Sequence, residues 1–407
     1  MRVLLSTVML SVLPVTALAQ EVDFHGYADF RLVAPSTEQS WMKGGLGKLR
    51  FDRLNGQDVE PRLGEIVGEA RAQLTPALSG FASLRYEDTQ RTAIDILEAY
   101  LRYRPVSTAR WRWSAKLGAF FPPISLENDE IGWTSPWTLT PSAINTWVGE
   151  ELKAIGAEGK LEWRYDRGSV EAVASIYGWN DPAGILIDDR GWALHDKPTG
   201  LLDRPRLPDV VAFKRYGAPH ETLMFKEIDD RPGWYAGASW NDERFGGLHL
   251  LRYDNEADPS AFRELFAWRT AFWSLGVEKE IGEFVVLMQG MTGETEVAPL
   301  ADLSILTHFR SAYVLGGWSR GDWRLAGRVD VFETVQQEDE GEGYYTEDEG
   351  SEDGYALTFA ATWSPKSWLR VTGEALHVNS RRPDRIEEGA KPGAAETQAQ
   401  LSLRFYL

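Results

Sequence analysis

FPPISLENDEIGWTSPWTLTPSAINTWVGEE, residues 121–151, breaks the pattern that organises the rest of the chain. On both sides of it, short runs of alternating apolar and polar residues are separated by turns; within it they are not. The stretch is stiffened by Pro122, Pro123, Pro136 and Pro141 and mixes Trp133, Trp137 and Trp147 with carboxylates. A structureless connection of this length is uncommon unless it is functional or disordered. Its aromatic content speaks against disorder.

The flanking runs say what kind of frame it interrupts. Just before it, Trp111, Trp113, Ala115, Leu117 and Ala119 oppose Arg112, Ser114, Lys116 and Gly118. Just after it, Ala157, Gly159, Leu161 and Trp163 oppose Glu158, Lys160, Glu162 and Arg164. A period of two is the mark of a strand. Nearly every run pairs a face of Leu, Ala, Gly and aromatics with a charged face. A soluble sandwich shows the same alternation with the apolar face inside, so alternation alone leaves two architectures open.

Composition narrows them. Residues 1–19 are expected to be a secretory signal peptide: Arg2, an apolar run and the small-residue ending Ala17-Leu18-Ala19. That leaves 20–407 as the folded unit. No later stretch approaches the roughly 20 apolar residues of a membrane-spanning helix, but a transmembrane barrel shows only weak alternation per segment. With no cysteine, the chain has no disulfide and no thiolate chemistry. A formal charge of -18 disfavours nucleic acid as a partner. Seventeen tryptophans are many for a soluble domain and natural for the girdles of a bilayer-spanning barrel.

Runs starting near 22, 63, 79, 94, 111, 152, 170, 234, 245, 265, 284, 304, 323, 355, 368 and 397 predict sixteen strands. The connections after even-numbered runs are all short: TPALSG, RPVSTAR, RYDRGS, NDER, KEIGE, SRGD and SPKS. Every long connection follows an odd-numbered run. Short turns at one rim and long loops at the other are the habit of an outer-membrane barrel, its short side periplasmic. Among the long connections, 180–231 is rich in Pro and Asp, and Val210-Val211-Ala212-Phe213 is expected to form a short helix or hairpin over the mouth. The acidic run 333–353 is expected to be an exposed loop, since uncompensated carboxylates at this density resist burial. Its spacing does not match the calcium loop pattern.

In the last run, Ala399, Leu401, Leu403, Phe405 and Leu407 alternate with Gln400, Ser402, Arg404 and Tyr406 up to the terminus. This ending resembles that of bacterial outer-membrane barrels, although their usual last residue is phenylalanine and here it is Leu407. The order of elements resembles the sixteen-stranded trimeric porins, with a distant likeness to the phosphate-selective group whose basic anion site cannot be matched here residue by residue. The resemblance implies an all-β transmembrane antiparallel barrel in which the loop after strand 5, residues 121–151, folds into the lumen. Glu127, Asp129 and Glu130 would then line a constriction, facing Arg85, Arg102, Arg112 and Lys116 on strands three to five; opposed charges across a water-filled eyelet set ion preference. The alternative is ordinary solvated lumen lining. Trp133, Trp137 and Trp147 would anchor the loop or rest at a subunit contact.

The function this predicts is passive diffusion of ions and small polar solutes across the outer membrane, with lipid and a homotrimer as partners and no cofactor or metal. The alternative is a non-conducting structural or ligand-binding barrel blocked by 121–151 and 180–231. An enzyme is not expected: the histidines are scattered, and Ser304 or Ser311 near His308 is no specific constellation.

Overall fold

The computed structural model describes residues 21–53, 58–209, 220–341, 343–386 and 389–407. The expected signal peptide and the Val210 to Phe213 piece lie outside the described residues. The sixteen strands are β1 (Glu21–Ala34), β2 (Glu60–Gln73), β3 (Leu78–Tyr86), β4 (Ile94–Tyr103), β5 (Trp111–Phe120), β6 (Ala154–Tyr165), β7 (Gly168–Gly178) and β8 (Gly233–Asp242). They continue with β9 (Gly246–Asp254), β10 (Arg269–Ile281), β11 (Phe284–Leu300), β12 (Leu303–Arg320), β13 (Trp323–Asp339), β14 (Tyr345–Lys366), β15 (Leu369–Arg381) and β16 (Gly393–Tyr406). Each pairs antiparallel with its sequence neighbours, and β1 also pairs with β16, closing the barrel. Closure removes every unpaired edge, which a sheet in hydrocarbon requires.

The alternation sorts as strand geometry dictates. Leu250, Leu275, Val314, Val329 and Phe359 face outward as a lipid-compatible band. At the short-turn end the outward residues become tryptophans. Trp111 sits opposite Trp163 with ring centroids 6.3 Å apart, and Trp323 opposite Trp363 at 6.0 Å. Trp240 and Trp368 continue this girdle, where an amphipathic ring meets the headgroups.

The strand count and the sorting of connections agree with the sequence, but one long-end boundary does not. The acidic run 333–353 is not a loop. β13 extends to Asp339 and β14 begins at Tyr345, with Glu333 opposite Asp353 and Glu338 opposite Tyr345. Pairing satisfies the backbone; among the carboxylates whose side chains are described, Glu340 and Asp353 stay exposed, whereas Glu352 turns inward and is compensated by Lys48.

The main apolar core is inside the barrel. Wall residues Phe272, Phe309, Tyr313 and Leu376 pack with Ile144, Trp147, Val148 and Trp192 from the long connections. At the turn end the lumen is wetter: along β1, Asp23 and His25 are exposed, whereas Tyr27, Asp29, Arg31 and Val33 are buried. Along β1, inward side chains are open to solvent below Tyr27 and covered from Tyr27 onward.

Candidate functional site: the lumen and the connections that fill it

Residues 121–153 pack largely buried against inward-facing wall residues, and part of the stretch is helical. Ser142 caps α1 (Ala143–Glu151), its Oγ accepting from the Asn145 N–H at 3.2 Å. All nine residues of α1 are buried. The Trp147 ring lies 5.0 Å from Phe309, 5.4 Å from Phe272 and 6.1 Å from Trp192. Upstream, Trp133 stacks on Phe121 at 4.4 Å. Gly149 lets the Trp133 ring lie against α1, since a Cβ there would come within 2.6 Å of it. Trp147 therefore ties the stretch to the barrel wall, whereas the Trp133 contacts hold the stretch to itself.

Polar groups of the wall hold the same stretch. Glu374 of β15 accepts the N–H groups of Leu139 (2.6 Å) and Thr140 (3.0 Å) and the Thr140 hydroxyl (2.7 Å). Arg328 of β13 donates to the carbonyls of Thr140 and Pro141, each at 2.9 Å, and to Thr138 Oγ1 at 3.1 Å. Backbone that has left a sheet and is buried must find such partners.

The connection between β7 and β8 packs on the other side of α1. It contains α2 (Ile185–Asp189), whose Ile187 N–H donates to Glu151 at 2.9 Å, as the Gly184 N–H does at 2.5 Å. Beyond it, residues 192–203 lie between α1 and the β1–β3 wall. The Thr199 N–H donates to Gly149 O at 3.0 Å, and the Leu194 N–H to Lys48 O at 2.9 Å. Asp196 pairs with Arg31 at 2.5 Å and Arg50 at 2.8 Å. Arg85 donates to Pro198 O at 2.9 Å. The contacts run from β12 through Trp147, α1 and residues 196–199 to β3, wall to wall.

Part of the charge in this filling is compensated by ion pairs. Burial works against ionisation of Glu150, but Arg190 and His195 beside it hold its carboxyl down at about 2. Burial likewise opposes ionisation of Asp196, yet its two arginines keep it well below the usual range. Lys153 contrasts with these. Its ammonium donates to Thr199 O at 2.5 Å and sits 4.4 and 4.5 Å from the Phe121 and Phe225 rings; burial pulls its pKa down to about 7 despite Glu98 and Asp95 nearby.

The expected site residues divide into two groups. Glu127 is 1% exposed, accepts from the Ser142 N–H at 2.7 Å and Asn145 Nδ2 at 2.8 Å, and pairs with Arg328 at 3.2 Å. Arg85 is equally buried, on Glu65 at 2.8 Å and Glu87 at 3.2 Å. These two build the filling. Glu130 is partly exposed and gripped by both terminal nitrogens of Arg370, at 2.5 and 3.0 Å. Asp129 is exposed, burial of its surroundings and the neighbouring Glu130 raising its pKa. Lys116 pairs with Glu158 at 3.1 Å, and Arg102 and Arg112 are half-buried on the inward faces of β4 and β5. Sequence reading missed Arg328, Glu374, Asp196 and Arg50. Arg328 and Glu374 carried only the signal of an inward charge on a strand; no local pattern marks Asp196 or Arg50.

Below the filling, a cavity of about 510 Å³ opens toward the turn end. Its roof is the Asn128 to Trp133 segment and its walls come from β2, β3, β4, β15 and β16. At the other end of the molecule, Asp181, Glu227 and Asp229 bring one carboxylate oxygen each within 4.8 Å of one another. Backbone N–H groups already engage all three, from Ile228, Trp179 and Asp258 respectively. On β12, Ser311 faces inward and His308 outward, and Ser304 lies about 13 Å along the strand from His308. The His308 Nδ1 lies 3.7 Å from Glu294.

Neither a protein-family model nor a curated protein sequence matches the chain. Solved structures do. The outer membrane channel DcaP of Acinetobacter baumannii superposes with a TM-score of 0.52 at 9% identity, over 95% of this chain and 97% of that one. OmpF of Salmonella typhi, solved in complex with daunomycin, gives 0.50 at 11% identity over the same shares. At such identities the likeness speaks for the fold. Together with the apolar band and the tryptophan girdle, it shows a closed sixteen-stranded β-barrel whose outer face suits a bilayer.

Proposed function

We propose that the protein is an outer-membrane channel for ions or small polar solutes whose passage is restricted by its own loops. One observation carries this reading: the contact chain from Phe309 through Trp147 and α1 to residues 196–199 and Arg85. A wide diffusion pore needs a water-filled gap between the inward loop and the opposite wall. Here residues 192–203 occupy that position, tied to the wall by Asp196. Conduction then requires this segment to shift. The excess of unpaired carboxylates at the wet end favours cations over a phosphate-type anion.

Single-channel recording in planar bilayers tests the reading. Wild type is expected to be mostly silent with infrequent steps. Asp196→Arg, which sets a third positive charge against Arg31 and Arg50, is expected to raise the open fraction at least tenfold. Large steady steps from wild type would overturn the restriction. Silence of both proteins, with the barrels folded, would overturn conduction in favour of a structural or binding barrel. A trimer is proposed on resemblance alone; particle mass in detergent, with the micelle subtracted, tests it.

A further inference from the structure

The turn-end cavity has the volume and lining of a ligand site. About 510 Å³ lies in the range that small-molecule pockets occupy. Its apolar wall includes Phe81 and Trp133, and its polar lining is dominated by groups that accept hydrogen bonds.

The charges do not cancel. Glu130 and Arg370 neutralise each other as a bidentate pair. Glu69 accepts the Gly132 N–H at 2.8 Å and Glu98 the Phe121 N–H at 3.1 Å; among the described residues neither carboxylate is in an ion pair, and nor is Asp129. On the cavity lining, Arg71 stands against these three, spread over the Phe81 ring at 5.8 Å and likewise outside any ion pair among the described residues; from beyond the lining, Lys116 and Lys153 act on Glu98 and Arg324 on Asp129. Asn128 adds an independent sign. It is 8% exposed, gives its Nδ2 to Trp133 O at 2.9 Å, and leaves its Oδ1 without a partner. A buried acceptor left unpaired costs about 1–3 kcal/mol unless a donor reaches it. With Glu130 and Arg370 paired off, the cavity lining carries three carboxylates against one guanidinium, and aromatic walls lie beside them.

We propose that this cavity binds a small organic cation: an amine or amidine carried on a flat apolar body. The charged head meets Glu69, Glu98 and Asp129, while the body lies along Phe81 and Trp133. Ammonium and amidinium heads supply the N–H donors, and an aromatic face adds attraction for the cation. A neutral alcohol supplies one weak donor. A carboxylate adds charge of the wrong sign. The site rests on the restricted-channel reading for its biological use, as a holding place below the filling, but not for its existence.

The test is calorimetric titration of the full chain in detergent with phenethylamine and benzamidine, against 2-phenylethanol and phenylacetate as neutral and anionic counterparts. The two cations are expected to bind, each at least tenfold tighter than either counterpart. Asp129→Asn and Glu98→Gln keep acceptors in place but remove charge. The double variant is expected to lose at least tenfold in affinity for both cations without changing the heat-shifted gel mobility of the folded barrel. Equal binding of the neutral and anionic probes, absence of binding by both cations, or unchanged affinity in the folded double variant would each overturn the proposal. Because binding in detergent needs no conduction, silence of wild type and Asp196→Arg alike, or large steady steps from wild type, refutes the restricted-channel reading and leaves this one standing.

Discussion

Arg328 on β13 and Glu127 in the β5–β6 connection lie 3.2 Å apart, and neither side chain is reached by solvent. The residues are two hundred positions apart in the chain, so this pair is a product of barrel closure and loop entry together. Arg328 also grips Asp330 at 2.8 Å and spends its remaining nitrogens on loop carbonyls and hydroxyls. Its planar five-donor fork suits this; a lysine ammonium does not.

Replacing it breaks a buried pair without replacing the charge. Arg328→Met is expected to cost about 3–5 kcal/mol of loop docking, and Arg328→Lys to recover little of it. Limited proteolysis is the measurement. Cleavage within 121–151 should appear in both variants while the strands stay protected. Equal protection of wild type and Arg328→Met would remove this residue from the docking argument.

Trp147 tests the apolar half of the same attachment. Trp147→Ala deletes a ring that touches Phe272, Phe309 and Trp192 inside the lumen. A loss of about 3–5 kcal/mol is expected, felt by the loops because all backbone pairing of the sheet remains. Near-ultraviolet circular dichroism should lose intensity while the far-ultraviolet β signal holds.

Lys153 makes stability depend on pH. Its folded pKa of about 7 lies below the value of about 10.4 expected when unfolded. Between these values the unfolded chain binds the extra proton, so stability rises with pH, by at most about 1.4 kcal/mol per unit. Below pH 7 both forms are charged and this contribution to the slope vanishes. Urea unfolding of wild type and Lys153→Met across pH 6–10 isolates the effect. Wild type should gain on the variant as pH rises from 7, and parallel curves would contradict the buried-ammonium account.

The outer face makes a depth-dependent prediction. Val329 is outward and mid-strand, paired with Val314 and Leu357. Val329→Arg is expected to cost about 2–4 kcal/mol in a bilayer, but Phe284→Arg, beside the short turn, only about 0–1. Unfolding in lipid vesicles measures both. Similar costs would mean that Val329 does not lie at the bilayer centre.

The sequence by itself determined the barrel: a strand's side-chain period is local, so alternation, turn residues and the sorting of short and long connections could be read one segment at a time. It also marked 121–151 as the foreign piece, because prolines and tryptophans cannot continue an alternating strand. What only the tertiary structure decided is how that piece is used. Glu127 and Asp129 are two residues apart and indistinguishable in type, yet one is sealed beneath Arg328 and the other stands over a wet cavity. That difference comes from Arg328, Glu374, Asp196 and Arg50, whose partners lie on distant strands and in other loops. No local pattern encodes which inward charge meets which, since the pairing depends on barrel closure and on two long connections packing against each other in the same lumen.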